Sequence, residues 1–108
     1  MIKQSLCLVF FILSTSSIGQ QKTNLYLLPG QGADCRLFAL LEIDTSKYSP
    51  ICLAYQTPSK NESMESFAQQ ISGNIDTTLP FSIIGTSLGG MLATEIAHIL
   101  KPEKVIII

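Results

Sequence analysis

Charge of either sign is scarce in this chain, and so are histidine and cysteine. Of 108 residues only 14% are charged, the formal net charge is −1, and Lys and Arg form no cluster. A nucleic-acid partner or an anionic membrane surface therefore lacks electrostatic support. The three cysteines make no CxxC pair, and no His/Cys cluster has metal-ligand spacing. Gly-Lys-Ser/Thr is absent, which excludes a Walker-type phosphate site. No cofactor or metal is expected. Internal repeats, low-complexity tracts and flexible linkers are also missing. Apolar residues, by contrast, make up 46% of the chain, too many for a disordered polymer. A packed fold is expected, and the length allows one small domain or part of a larger one.

Some of that apolar content belongs to export rather than to a core. Lys3 gives a positive start, Leu6 to Leu13 (LCLVFFIL) is an apolar run, and Ser14 to Gly19 supplies small residues. Ser17 and Gly19 suit the −3 and −1 sites of a signal peptidase, so residues 1–19 read as a secretory signal peptide. The run is far short of the roughly 20 residues a membrane span needs, and no stable span is expected. No cysteine follows it within cleavage reach, so a lipid-modified terminus is not suggested. Cleavage would leave about 89 residues from Gln20 and place the mature protein outside the cell or in the periplasm. Its two cysteines, Cys35 and Cys52, could pair in an exported protein. They could equally be small buried hydrophobes, and the second reading is the one preferred.

The rest of the chain alternates between short apolar runs and helical periodicity. Thr23–Leu28 reads as a strand entering a loop at Pro29-Gly30-Gln31-Gly32. Leu37, Leu40 and Leu41 stand at helical spacing within Cys35–Ile43, predicting a short helix. Tyr48–Tyr55 is the next apolar run, with Pro50 suited to a strand start or an edge. A helix then begins in Thr57–Glu62, where Ser59 and Glu62 have capping-box spacing and Ser63 is a rival cap. Met64, Phe67, Ala68, Ile71 and Ile75 form its apolar stripe. Phe81–Ile84 predicts a strand, Ser87–Leu100 a helix, and Val105–Ile108 a last strand. Strands apolar along their whole length imply a parallel sheet flanked by helices, an α/β fold with about four strands. Because the sequence stops inside that fourth strand, the expectation is the N-terminal part of a longer protein or a truncated gene product.

Two glycine-rich turns could carry chemistry. Gly30-Gln-Gly32-Ala-Asp-Cys35 follows a strand and begins like a dinucleotide loop. Cys35 stands where the third glycine belongs, though, and Asp44 comes too early for the ribose-binding acid. The second turn, Gly85-Thr-Ser87-Leu-Gly89, lies between a buried strand and an amphipathic helix. A strand that turns at once into a helix forces one residue into a cramped positive-φ backbone and demands small neighbours two positions away. The hydroxyl of Ser87 is thereby thrust above the sheet at a helix N-terminus, which favours developing negative charge. The bland alternative is a glycine-rich turn with a capping serine.

Both turns together resemble the α/β-hydrolase family. LYLLPGQGADCRLF (Leu25 to Phe38) resembles the strand and loop in which many members carry His-Gly before the oxyanion hole, with Pro29 here replacing the histidine. FSIIGTSLGGMLATEIAHILKPEKVIII (Phe81 to Ile108) is similar to the family's elbow strand, helix and next strand. The resemblance implies that residues 20–108 are the N-terminal portion of such a domain. It implies a serine hydrolase acting on an ester or related acyl bond of a small-molecule acyl substrate. Ser87 would be the nucleophile that forms an acyl-enzyme, and the backbone N–H groups of Gln31 and Leu88 would be the oxyanion donors. A serine nucleophile also disfavours the aspartate-using dehalogenase branch.

The family's order is serine, acid, histidine, which puts the last two beyond Ile108. His98 cannot stand in. It lies 11 residues beyond Ser87, which is roughly 16 Å along a helix axis at about 1.5 Å per residue. A general base must sit within about 3.2 Å of the hydroxyl. Asp34, Asp44 and Asp76 all precede the serine, and Asp76 reads as a turn residue. The 108-residue chain alone is therefore expected to be inactive, and the alternative is a non-catalytic truncated α/β module or gene remnant.

Overall fold

A computed structural model describes residues 21–108. The expected signal peptide and Gln20 lie outside the described residues. Four strands form one parallel sheet: β1 (Thr23–Leu28), β2 (Tyr48–Cys52), β3 (Phe81–Gly85) and β4 (Val105–Ile107), in spatial order β2-β1-β3-β4. Helix α1 (Met64–Ser72) connects β2 to β3, and α2 (Leu88–Leu100) connects β3 to β4. The alternation of apolar runs with helical periodicity is thus an α/β sheet, as expected.

Side chains alternate across the two central strands, and each face has its own core. Tyr26, Leu28, Phe81 and Ile83 point to the helices, where Phe67, Ala68 and Ile71 of α1 and Leu92, Ala93 and Ile96 of α2 meet them. Fully burying a side chain of this kind contributes about 1.5–3 kcal/mol, so this face holds most of the fold's stability. Leu25, Leu27 and Ile84 point the other way and are covered by Phe38, with Ile43 and Tyr48 at the margin. The hydroxyl of Ser82 is buried on that thinner side with no protein partner.

Where the strands sit decides their exposure. The apolar runs of β1 and β3 are buried on both faces because they are the inner strands. The same kind of run in β4 leaves Ile106 50% and Ile107 59% exposed, since an edge strand has one neighbour. β2 is the other edge, which is where Pro50 can be tolerated without losing a ladder bond.

Three sequence expectations need correction. The helix predicted over Cys35–Ile43 is only a single 3-10 turn, Cys35–Phe38, capped by the Asp34 carboxylate accepting from Arg36 N–H at 2.9 Å. Leu40 of the expected stripe is 95% exposed, and Phe38 turns inward instead. Helix α1 starts at Met64, not in Thr57–Glu62. Ser63 wins as the cap, its hydroxyl accepting from Ser66 N–H at 3.1 Å, while Glu62 reaches Gln70 rather than closing a box. Cys35 and Cys52 are not separate buried thiols. They are half-buried and joined in a disulfide, because the 3-10 turn lies over the end of β2 with the Cα atoms 5.9 Å apart.

Candidate active site

The β3–α2 turn places Ser87 at φ 54°, ψ −119°, the position that caps α2, yet its side chain makes no capping hydrogen bond. A serine in that region of backbone space is strained by about 1–3 kcal/mol. The surroundings over-determine it. Ser87 N–H donates to the Ile108 carbonyl at 3.3 Å, its own carbonyl accepts from Gly90 N–H at 2.9 Å, and Thr86 N–H donates to Leu28 at 3.1 Å. The flanking glycines cannot be anything larger. A Cβ on Gly85 would lie 2.3 Å from the Gly89 carbonyl oxygen, and one on Gly89 would lie 2.1 Å from that of Leu28. Ser87 itself is exposed. The sharp bend predicted from the spacing is present, with the hydroxyl on the outside.

The loop after β1 lies directly beside it. A Cβ added at Gly30 would sit 3.3 Å from Ser87 Cβ and 3.9 Å from its Oγ. Gly30 also opens a tight turn: its carbonyl accepts from Ala33 N–H at 3.1 Å, and Gly32 takes φ +76°, the conformation a type II turn demands at that place. Neither Gln31 N–H nor Leu88 N–H donates to an acceptor among the described residues. Gln31 follows Gly30, the residue that lies against Ser87, and Leu88 follows Ser87 itself.

The structure does not bring an acid or a base to Ser87 from the described residues. His98 is exposed in the last turn of α2. Each aspartate is engaged locally, and each has its pKa lowered from the ordinary 3.8. The Arg36 side chain does this to Asp34, Ser46 to Asp44 and Thr78 to Asp76. Asp76 is the turn residue the sequence indicated, accepting from Thr78 N–H at 2.9 Å. No group of three or more His, Cys, Asp and Glu side chains that could hold a metal occurs among the described residues. No helix among them is long and apolar enough to cross a membrane.

One residue at the site escaped the sequence reading. Tyr55, three positions past β2, donates its hydroxyl to the Pro29 carbonyl. In the sequence it is merely the end of an apolar run, and nothing local marks its partner 26 residues away. Compared with known proteins, the chain matches no protein-family model and no curated protein.

Proposed function

We propose that the protein is an exported serine hydrolase of the α/β-hydrolase type, cleaving an ester or related acyl bond. The observation that carries this reading is the backbone of Ser87: a strained, exposed serine between two glycines that pack against backbone, with no capping bond to explain it. In the proposed reaction Ser87 Oγ adds to the substrate carbonyl carbon. The oxyanion that forms takes the N–H groups of Gln31 and Leu88. Collapse expels the alcohol and leaves an acyl-enzyme, which water then hydrolyses to the acid and free serine. A histidine held by an acid, both of which come after the serine in the family's order, takes the Ser87 proton and returns it to the departing alcohol. The Cys35–Cys52 disulfide supports export, since such bonds persist in oxidising compartments.

The test is fluorophosphonate labelling of the protein isolated from its own host, with the modified peptide located by mass spectrometry. Labelling at Ser87 that is lost in Ser87→Ala is the expected result. A folded native protein that takes no label at Ser87 overturns the reading and favours a non-catalytic module. The engagement of every described aspartate elsewhere, and the position of His98, are what speak for that second reading.

A further inference from the structure

The Pro29–Ala33 loop contains two glycines and one internal hydrogen bond, Ala33 N–H to the Gly30 carbonyl. A turn of that composition is entropically loose and needs outside anchors to hold a donor still. On its far side it is anchored by the Cys35–Cys52 disulfide. On the near side, Leu28 is the last residue in the ladder, and its carbonyl is taken by Thr86 N–H. Pro29 has no N–H to donate. Its carbonyl is therefore the first backbone group free to swing, and the Tyr55 hydroxyl holds it.

Tyr55 can act as a fixed post because its ring is fixed. It packs edge-to-face on Phe67 of α1 with centroids 5.7 Å apart and an interplanar angle of 77°, and Phe67 is 5% exposed in the main core. No peptide bond among the described residues is cis, so the Gly30 N–H points opposite to the Pro29 carbonyl. Setting that carbonyl sets the plane that carries Gly30 past Ser87. The bond from Ala33 to the Gly30 carbonyl sets the next plane, the one that contains Gln31 N–H. Partial burial also holds the phenol above its ordinary pKa of 10.0, so the hydroxyl stays a donor through neutral pH.

We propose that Tyr55 is a positioning residue of the active site: its hydroxyl, donated to the Pro29 carbonyl, fixes the Pro29–Gly30 peptide plane beside Ser87, the base on which the Ala33-held Gly30–Gln31 plane presents the Gln31 N–H as an oxyanion donor. The inference rests on Ser87 being the nucleophile. It goes further by assigning the orientation of one half of the oxyanion site to a side chain carried beyond β2.

The experiment compares native protein with Tyr55→Phe and Ser87→Ala, using a p-nitrophenyl ester and a boronic acid that forms a tetrahedral adduct with serine. Removing a whole oxyanion donor lowers kcat by about 10²–10³-fold, so a donor left in place but loosened is expected to lose roughly tenfold. Tyr55→Phe should therefore lower kcat about tenfold with KM unchanged and weaken boronic acid binding by the same factor. Its thermal midpoint should stay near wild type, since the ring on Phe67 is kept. Unchanged kcat and boronic acid affinity in Tyr55→Phe overturn the proposal while leaving the nucleophile reading intact. Full activity in Ser87→Ala overturns the nucleophile reading itself. If Tyr55→Phe fails to fold, the wild-type Pro29 carbonyl carbon resonance decides the matter. It should show an isotope shift from the Tyr55 hydroxyl in addition to the one caused by the Gly30 amide, and the absence of that additional shift overturns the proposal.

Discussion

The two turns beside Ser87 reach rigidity by opposite routes. The β3–α2 turn is fixed by backbone: Gly85 lies against the Gly89–Gly90 backbone and Gly89 against the Leu28 and Pro29 carbonyls, so closely that no other residue fits at either place. The Pro29–Ala33 loop is fixed from without, by a phenol at Tyr55 and a disulfide at Cys35. Its own Gly32 has nothing within 4 Å of where a Cβ would be. A bend dictated by glycine spacing is legible in a short stretch of sequence. A loop held by distant side chains is not.

That contrast can be broken by substitution. The largest effect is expected at Gly89→Ala, whose methyl would sit 2.1 Å from the Leu28 carbonyl oxygen, well inside contact. Overpacking of this kind costs about 3 kcal/mol or more, read as a lower urea midpoint. Removing the disulfide as Cys35→Ala/Cys52→Ala should cost less, about 2–3 kcal/mol for a bridge across 17 residues. Its signature is faster amide exchange in the Pro29–Asp34 loop but not at Thr86–Leu88. Gly32→Ala meets no atom and pays only for its φ of +76°, about 1–2 kcal/mol. Equal losses at Gly89 and Gly32 would erase the distinction between the turns.

The smallest effect is that of pH. Thr86-Ser87-Leu88 holds no titratable group, whereas the loop ends at Asp34, whose pKa is lowered by the Arg36 side chain. A carboxylate with a depressed folded pKa contributes stability that is present above its unfolded value and lost as pH falls through the folded one. The urea midpoint should thus be flat from neutral to about pH 5 and decline below about pH 4, the region of free carboxylates. Asp34→Asn should remove part of that decline, and an unaltered acid limb would show that Asp34 contributes nothing.

The same division explains what sequence reading reached. The inner strands, the stripe of Phe67, Ala68 and Ile71, and the bend at Ser87 follow from periodicity and from glycine spacing. The leucines after Cys35 misled because helical spacing over one turn does not supply a core to face. Phe38 finds one instead, against Leu25, Leu27 and Ile84. The start of α1 turned on which of two serines had a free N–H in reach, and the disulfide on how a loop lies over β2. Both are matters of three-dimensional approach. Tyr55 belongs with them, since its partner comes from another strand's exit.

The central claim is that Ser87 is kept in an unfavourable backbone for the sake of its hydroxyl. Ser87→Gly tests it most directly, with Ser87→Ala beside it, by urea denaturation. Glycine adopts a positive φ freely, so relief of about 1–3 kcal/mol of strain, less the 0.5–1 kcal/mol that glycine loses in flexibility, should leave Ser87→Gly more stable than wild type by about 1 kcal/mol. Ser87→Ala keeps the strain and should gain nothing. If Ser87→Gly unfolds no later than Ser87→Ala, the serine is not strained at that bend and the account is contradicted.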